Sequence, residues 1–124
     1  MENTEISLKE ASEQLSVPLA KVRHLCNSGL IPGVRRNAYG HRLLSPAQVD
    51  LLEIFLQMRQ AGFRPKELRQ YSRLYRQGSS TGAKRLAMLT TRKHQLRQEI
   101  LDRQKAVDFI ERQEENYQQN RGER

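Results

Sequence analysis

The sequence predicts a mostly α-helical chain in which short helices surround one β-hairpin and a single long C-terminal helix follows. Three observations lead there. Apolar residues recur three and four positions apart between Leu8 and Tyr75, in runs separated by capping and breaking residues. Residues 34–44 instead form two short runs around Asn37-Ala38-Tyr39-Gly40, a turn composition. From Gly82 to Gln118 no proline and no further glycine interrupts the helical pattern, which allows one helix of about 54 Å at 1.5 Å per residue.

Taken in order, Ser7-Leu8-Lys9-Glu10 reads as a capping box that starts a first helix, and Leu8, Ala11 and Leu15 lie on its apolar face. The pattern breaks at Ser16-Val17-Pro18, because proline holds its predecessor in extended backbone. A second helix runs from about Leu19 to Ser28, with Leu19, Val22, Leu25 and Cys26 on one face, and Gly29 closes it as a left-handed cap. Two short helices joined by a tight turn, the second carrying basic side chains, make a helix-turn-helix. Val34 to Leu44 supplies a hairpin wing. Ser45-Pro46-Ala47-Gln48 places an N-cap, a proline at the first helical position and a Gln at the third, so a third helix follows at once, burying Val49, Leu52, Phe55, Leu56 and Met58 up to Gly62. Pro65 opens a fourth helix to about Gln77, with Leu68, Tyr71, Leu74 and Tyr75 inward, and 78–82 reads as a flexible break. Core packing is the expected role of Tyr71, Tyr75 and Phe109.

In the long helix Leu86, Leu89, Lys93, Leu96, Ile100, Arg103, Val107, Ile110, Glu114 and Tyr117 alternate three and four apart as a coiled-coil seam. The dimerisation residues expected there are Leu86, Leu89, Leu96, Ile100, Val107, Ile110 and Tyr117. The charged seam positions disfavour a parallel zipper and fit an antiparallel homodimer, whose seam ends meet the partner's globular part. This divides the chain into a winged helix-turn-helix domain over 1–78, a dimerisation helix over 82–118 and a frayed tail over 119–124.

Composition narrows the function. The 124 residues are 36% hydrophobic and 29% charged, without tryptophan. A core of this size calls for support from oligomerisation. Cys26 is the lone cysteine, which excludes an intrachain disulfide and a structural zinc site. No metal or cofactor is expected. No glycine-rich phosphate loop, paired carboxylates or nucleophile–base pair points to an enzyme. No membrane-spanning stretch of about 18 to 20 apolar residues and no signal layout is seen, so a cytoplasmic location is expected. The net charge of +8 favours a polyanionic partner. Between Glu13 and Asp50 there is no acidic residue, while Lys21, Arg23, Arg35, Arg36 and Arg42 fall inside that window. Double-stranded DNA is the partner that fits a helix-turn-helix bearing this charge.

Several stretches together resemble the MerR family of transcriptional regulators: Ile6 to Leu15, Val17 to Ile31 with Arg23 and Gly29-Leu30-Ile31, the wing Arg35-Arg36-Asn37-Ala38-Tyr39-Gly40-His41-Arg42, and Met58-Arg59-Gln60-Ala61-Gly62-Phe63 followed by Glu67-Leu68. The resemblance implies a homodimer on a palindromic promoter site that distorts the promoter spacer and acts on RNA polymerase indirectly. It implies DNA contacts from Ser7, Lys21, Arg23, His24 and Asn27, from the wing residues Arg35, Arg36, Tyr39, Gly40, His41 and Arg42, and from Arg64. Gln77-Gly78-Ser79-Ser80-Thr81 and Asp108-Phe109-Ile110-Glu111-Arg112 are similar to a short branch that includes aldehyde-responsive regulators. Their sensor cysteine, late in the third helix, is Gln57 here, so Cys26 is read as a packing residue and no effector is assigned. His24 and Leu25 stand where the family has two tyrosines, and Leu44 replaces another at the wing end. The alternative is an excisionase-like architectural DNA-bending protein, against which the long helix argues.

Overall fold

The computed structural model describes residues 4–120. Ser7 caps α1 (Leu8–Leu15): its hydroxyl accepts from the Glu10 amide at 3.1 Å, and the Glu10 carboxylate accepts from the Ser7 amide at 3.1 Å. The reciprocal pair satisfies two amides that a helix start leaves without partners. The helix ends where Ser16 takes left-handed backbone, φ 55, held by a bond from the Val17 amide to the Ser12 carbonyl at 3.0 Å. Pro18 then leads into α2 (Leu19–Asn27), and Gly29, φ 73, turns the chain beyond it.

The wing consists of β2 (Arg35–Arg36) and β3 (Arg42–Leu44), and it has an additional strand. Ile6–Ser7 forms β1, which pairs with β3 through Ile6 with Leu44 and Ser7 with Leu43, giving an antiparallel sheet of order β1-β3-β2. The expected two-stranded wing is therefore three-stranded. A strand of two residues carries no alternation to read, so only the partner strand defines it.

A second capping box starts α3 (Pro46–Gln60), with Ser45 Oγ accepting from the Gln48 amide at 3.2 Å and Gln48 accepting from the Ser45 amide at 2.8 Å. The Gln48 side chain also donates to the Pro32 carbonyl at 2.9 Å, tying the helix start to the chain entering the wing. Because α2, β3 and α4 (Pro65–Arg76) all cover α3, its buried face is wider than one stripe and includes Leu51, whereas Leu56 is only half-buried. Phe55, Leu44, Leu52 and Val22 are wholly enclosed, and the Phe55 ring meets Tyr71 edge-on at 5.9 Å.

On α4 the inward residues are Leu68, Tyr71 and Ser72. The Ser72 hydroxyl donates to the Leu30 carbonyl at 2.8 Å, fastening α4 to the end of α2. Tyr75 does not enter the core as expected: it lies in the last turn, 38% exposed, with the Arg85 guanidinium over its ring at 5.7 Å. Phe109, also expected in a core, is 54% exposed. The expected flexible break is a 3-10 turn, Ser79–Thr81, in which the buried Thr81 hydroxyl lies 2.5 Å from the Leu74 carbonyl and 2.9 Å from the Gly78 carbonyl.

α5 runs from Gly82 to Asn120, 39 residues with none buried. Gln119 and Asn120, expected to fray, form its last residues, and 121–124 lie outside the described residues. The chain separates into two compact units between Arg85 and Leu86, later than the expected end of the first domain. No helix among the described residues is long and apolar enough to cross a membrane.

Candidate nucleic-acid interface

Burial of Val22 and Leu25 decides which α2 side chains remain outside, and those are Lys21, Arg23, His24 and Asn27, all exposed. The wing is shaped by Asn37. Its Oδ1 accepts from the Tyr39 amide at 2.9 Å and the His41 amide at 3.0 Å, while its own amide donates to the His41 carbonyl at 2.8 Å. An asparagine side chain that substitutes for backbone acceptors makes a short turn without strand pairing across its tip. Gly40 supplies the left-handed step, φ 80, and Arg36 Nη1 donates to its carbonyl at 2.7 Å. Tyr39 is 84% exposed at the tip.

A concave surface of about 380 Å³ lies between α2 and the wing. Of the predicted DNA-contact residues it gathers Ser7, Arg23, Asn27, Arg36, Gly40, His41 and Arg42, with Lys9 and Asn37 beside them. Sequence reasoning passed over both additions. Lys9 could have been found from its position on the outer face of α1, and Asn37 from its place in the turn. Lys21, His24 and Tyr39 are exposed but do not line this surface, and Arg64 lies at the start of α4, where its amide donates to Glu67 at 2.8 Å. Ser7 Oγ accepts from an amide as the helix cap, which leaves its proton free to donate to an anion.

Arg35 differs from the other wing cations. Glu5 accepts from its guanidinium Nη2 at 2.5 Å and Nε at 3.4 Å. The hydrogen bond and the charge of Glu5 raise its pKa above the ordinary arginine value. The acid-free stretch of sequence is thus not acid-free in space: the carboxylate reaches Arg35 from thirty positions upstream.

Cys26 is half-buried, and burial pushes its thiol pKa up, with Arg42 opposing in part. A raised pKa leaves little thiolate, the reactive form. Gln57, at the position of the branch's sensor cysteine, is exposed on α3 and donates to Glu53 at 3.3 Å. Leu25 and Leu44 are core residues, 5% and 0% exposed, so of the three replaced tyrosine positions only His24 presents its side chain to solvent. Among the described residues no cluster of three or more His, Cys, Asp or Glu side chains is placed to hold a metal ion.

A helix-turn-helix whose second helix shares a cationic concavity with a β-wing defines a winged nucleic-acid-binding protein. Residues 6–74 match the MerR HTH family regulatory protein model, and the chain belongs to that family: it is a MerR-family DNA-binding transcriptional regulator. It is similar to a putative MerR family transcriptional regulator from Listeria monocytogenes, at 31% identity and TM-score 0.77 over 91% of this chain and 86% of that one. HiNmlR, a MerR family regulator lacking the sensor domain and solved bound to promoter DNA, shares the fold at 19% identity and TM-score 0.76 over 95% of this chain and 94% of its own. A MerR family regulator from Bacillus thuringiensis does so at 21% identity and TM-score 0.76, covering 91% and 99% of the two chains. No curated protein sequence matches the chain.

Proposed function

We propose that two copies of this chain, joined through α5, bind a palindromic promoter site in the cytoplasm and regulate transcription by distorting the promoter spacer, reaching RNA polymerase through the DNA. The observation that carries this reading is the concavity in which Arg23, Asn27, Arg36, His41 and Arg42 converge. On it, α2 enters the major groove while the wing and Ser7 grip flanking phosphates. Lys21 and Arg23 reach base edges, and His24, Tyr39, Gly40 and Arg64 add backbone contacts. Arg35, held by Glu5, contributes less than its neighbours. The promoter DNA in the HiNmlR structure supports the choice of target.

Dimerisation is assigned to Leu86, Leu89, Leu96, Ile100, Val107, Ile110 and Tyr117. It rests on α5, where no residue is buried although Ile100, Ile110 and Tyr117 are 66%, 56% and 75% exposed. Soluble monomers rarely leave an apolar row of this kind uncovered. The chain falls with the short family branch whose similarity covers both its helix ending and its turn, and with Gln57 in the sensor position it does not detect aldehydes by thiol chemistry there.

The test is footprinting and titration of the full chain on duplexes selected from random fragments, over a range of salt. Protection of two symmetric half-sites, with affinity falling steeply as salt rises, is the expected result. Protection of one asymmetric patch, or none at low salt, overturns the reading. Val107→Asp should yield monomers in sedimentation and lose half-site cooperativity.

A further inference from the structure

The seam of α5 contains three charges, Lys93, Arg103 and Glu114, among its apolar positions. In a parallel pair each would face its own copy, placing like charges together three times. An antiparallel pair removes that conflict, and it turns the charges into a ruler, because each register sets a given charge against a different residue.

We infer that α5 pairs with a second copy of itself in the antiparallel register that sets Arg103 against the partner's Glu114. The inference rests on the homodimer proposed above and fixes its geometry. In an antiparallel coil the first seam position of one heptad faces the second seam position of the partner's. Placing Arg103 opposite the partner's Glu114 then puts Val107 opposite the partner's Ile110 and Ile100 opposite the partner's Tyr117. By two-fold symmetry every seam position from Ile100 to Tyr117 meets either an apolar side chain or an opposite charge.

Other registers do worse. A slip of one heptad toward the N-termini sets Arg103 against the partner's Val107 and Glu114 against the partner's Leu96, leaving both charges on aliphatic side chains. Further slips bring Arg103 to the partner's Ile100 and then to the partner's Lys93, a like charge. A slip the other way sets Glu114 against the partner's Ile110 and shortens the overlap. Burying an unmatched charge in a seam costs more than the pair itself contributes, so such layers select register more than they add stability.

Two features of the chain agree. Arg103 and Glu114 are exposed, and neither side chain has an ion-pair partner among the described residues, whereas Arg92 on the same helix is paired with Glu99. Leu86 and Leu89, 63% and 40% exposed, lie N-terminal to the overlap, since the residues opposite them would fall beyond the partner's Asn120. They therefore meet a part of the partner other than its α5.

A charge-swap series in the full chain, read by sedimentation equilibrium, tests this. Arg103→Glu and Glu114→Arg should each weaken the dimer about tenfold or more, because symmetry places the new like-charge contact twice in every dimer. The double variant Arg103→Glu/Glu114→Arg should restore the wild-type constant to within about threefold. Lys93→Glu, outside the overlap, should change it by less than about twofold. A wild-type dimer whose double variant is no better than the singles, whose singles dimerise normally, or which tightens with Lys93→Glu overturns the register and leaves the homodimer standing. A monomeric wild type overturns both.

Discussion

In the winged unit Phe55, Leu44, Leu52 and Val22 are wholly enclosed, while along α5 Leu86, Ile100, Ile110 and Tyr117 all remain more than half exposed. Both regions use apolar residues at helical spacing, but only the first holds the elements that cover them. α3 is packed by α2, β3 and α4, whereas the residues of α5 find no such cover within their own chain. The difference teaches that the same periodicity encodes a core in one place and an interface in the other. Neighbouring elements, not the spacing, decide between the two.

Two phenylalanines break that comparison most sharply. Phe55→Ala removes a ring with no exposure, packed edge-on against Tyr71, and should cost about 3 to 5 kcal/mol of unfolding free energy in urea titration. Phe109→Ala, on a ring 54% exposed and off the seam, should stay within about 0.5 kcal/mol at fixed protein concentration. Equal losses would mean that α5 shares a core with the winged unit.

The next effect tests what fastens the winged unit. Ser72 is 4% exposed, and its hydroxyl is the polar tie between α4 and the Leu30 carbonyl. Ser72→Ala strands that carbonyl without its donor and should cost about 1 to 3 kcal/mol in the same urea titration. The matching hydroxyl deletion on α5 is Thr91→Ala, at an exposed position of the long helix, and it should lower stability by no more than about 0.5 kcal/mol.

What could be read from the sequence follows the range of the interaction concerned. The capping boxes of Ser7 with Glu10 and Ser45 with Gln48 span three residues, so local spacing announces both helix starts, and the structure contains both. The long helix was equally legible, because nothing between Ala83 and Asn120 can break it. β1 was not legible, since its two residues become a strand only by pairing with Leu43 and Leu44. The same holds for Leu51, buried because elements arrive on a second side of α3, and for Tyr75, drawn into contact with Arg85 rather than the core. At the candidate interface, the residue types and their faces could be read from α2 and the wing. The pairing of Arg35 with Glu5 could not, because folding alone brings together groups thirty positions apart.

That pairing gives the last and smallest contrast, in which one positive charge is removed at three places. Arg42→Ala, Arg35→Ala and Arg112→Ala lower the net charge of the chain equally, so a purely global attraction would weaken DNA binding equally in all three. The geometry predicts otherwise. Arg42 lines the concavity and should lose about tenfold in affinity across all sequences, with the salt slope flattened by about 0.9 for each phosphate contact removed. Arg35 already shares its charge with Glu5, and its loss also frees a carboxylate near the wing, so a decrease of about threefold is expected, and Glu5→Gln together with Arg35→Ala should recover part of it. Arg112, on α5, should leave the slope unchanged, because at the Debye length of about 8 Å in physiological salt a charge acts only on phosphates close to it. Matching losses at all three positions would reduce the interface to net charge and remove the reason for assigning it to α2 and the wing.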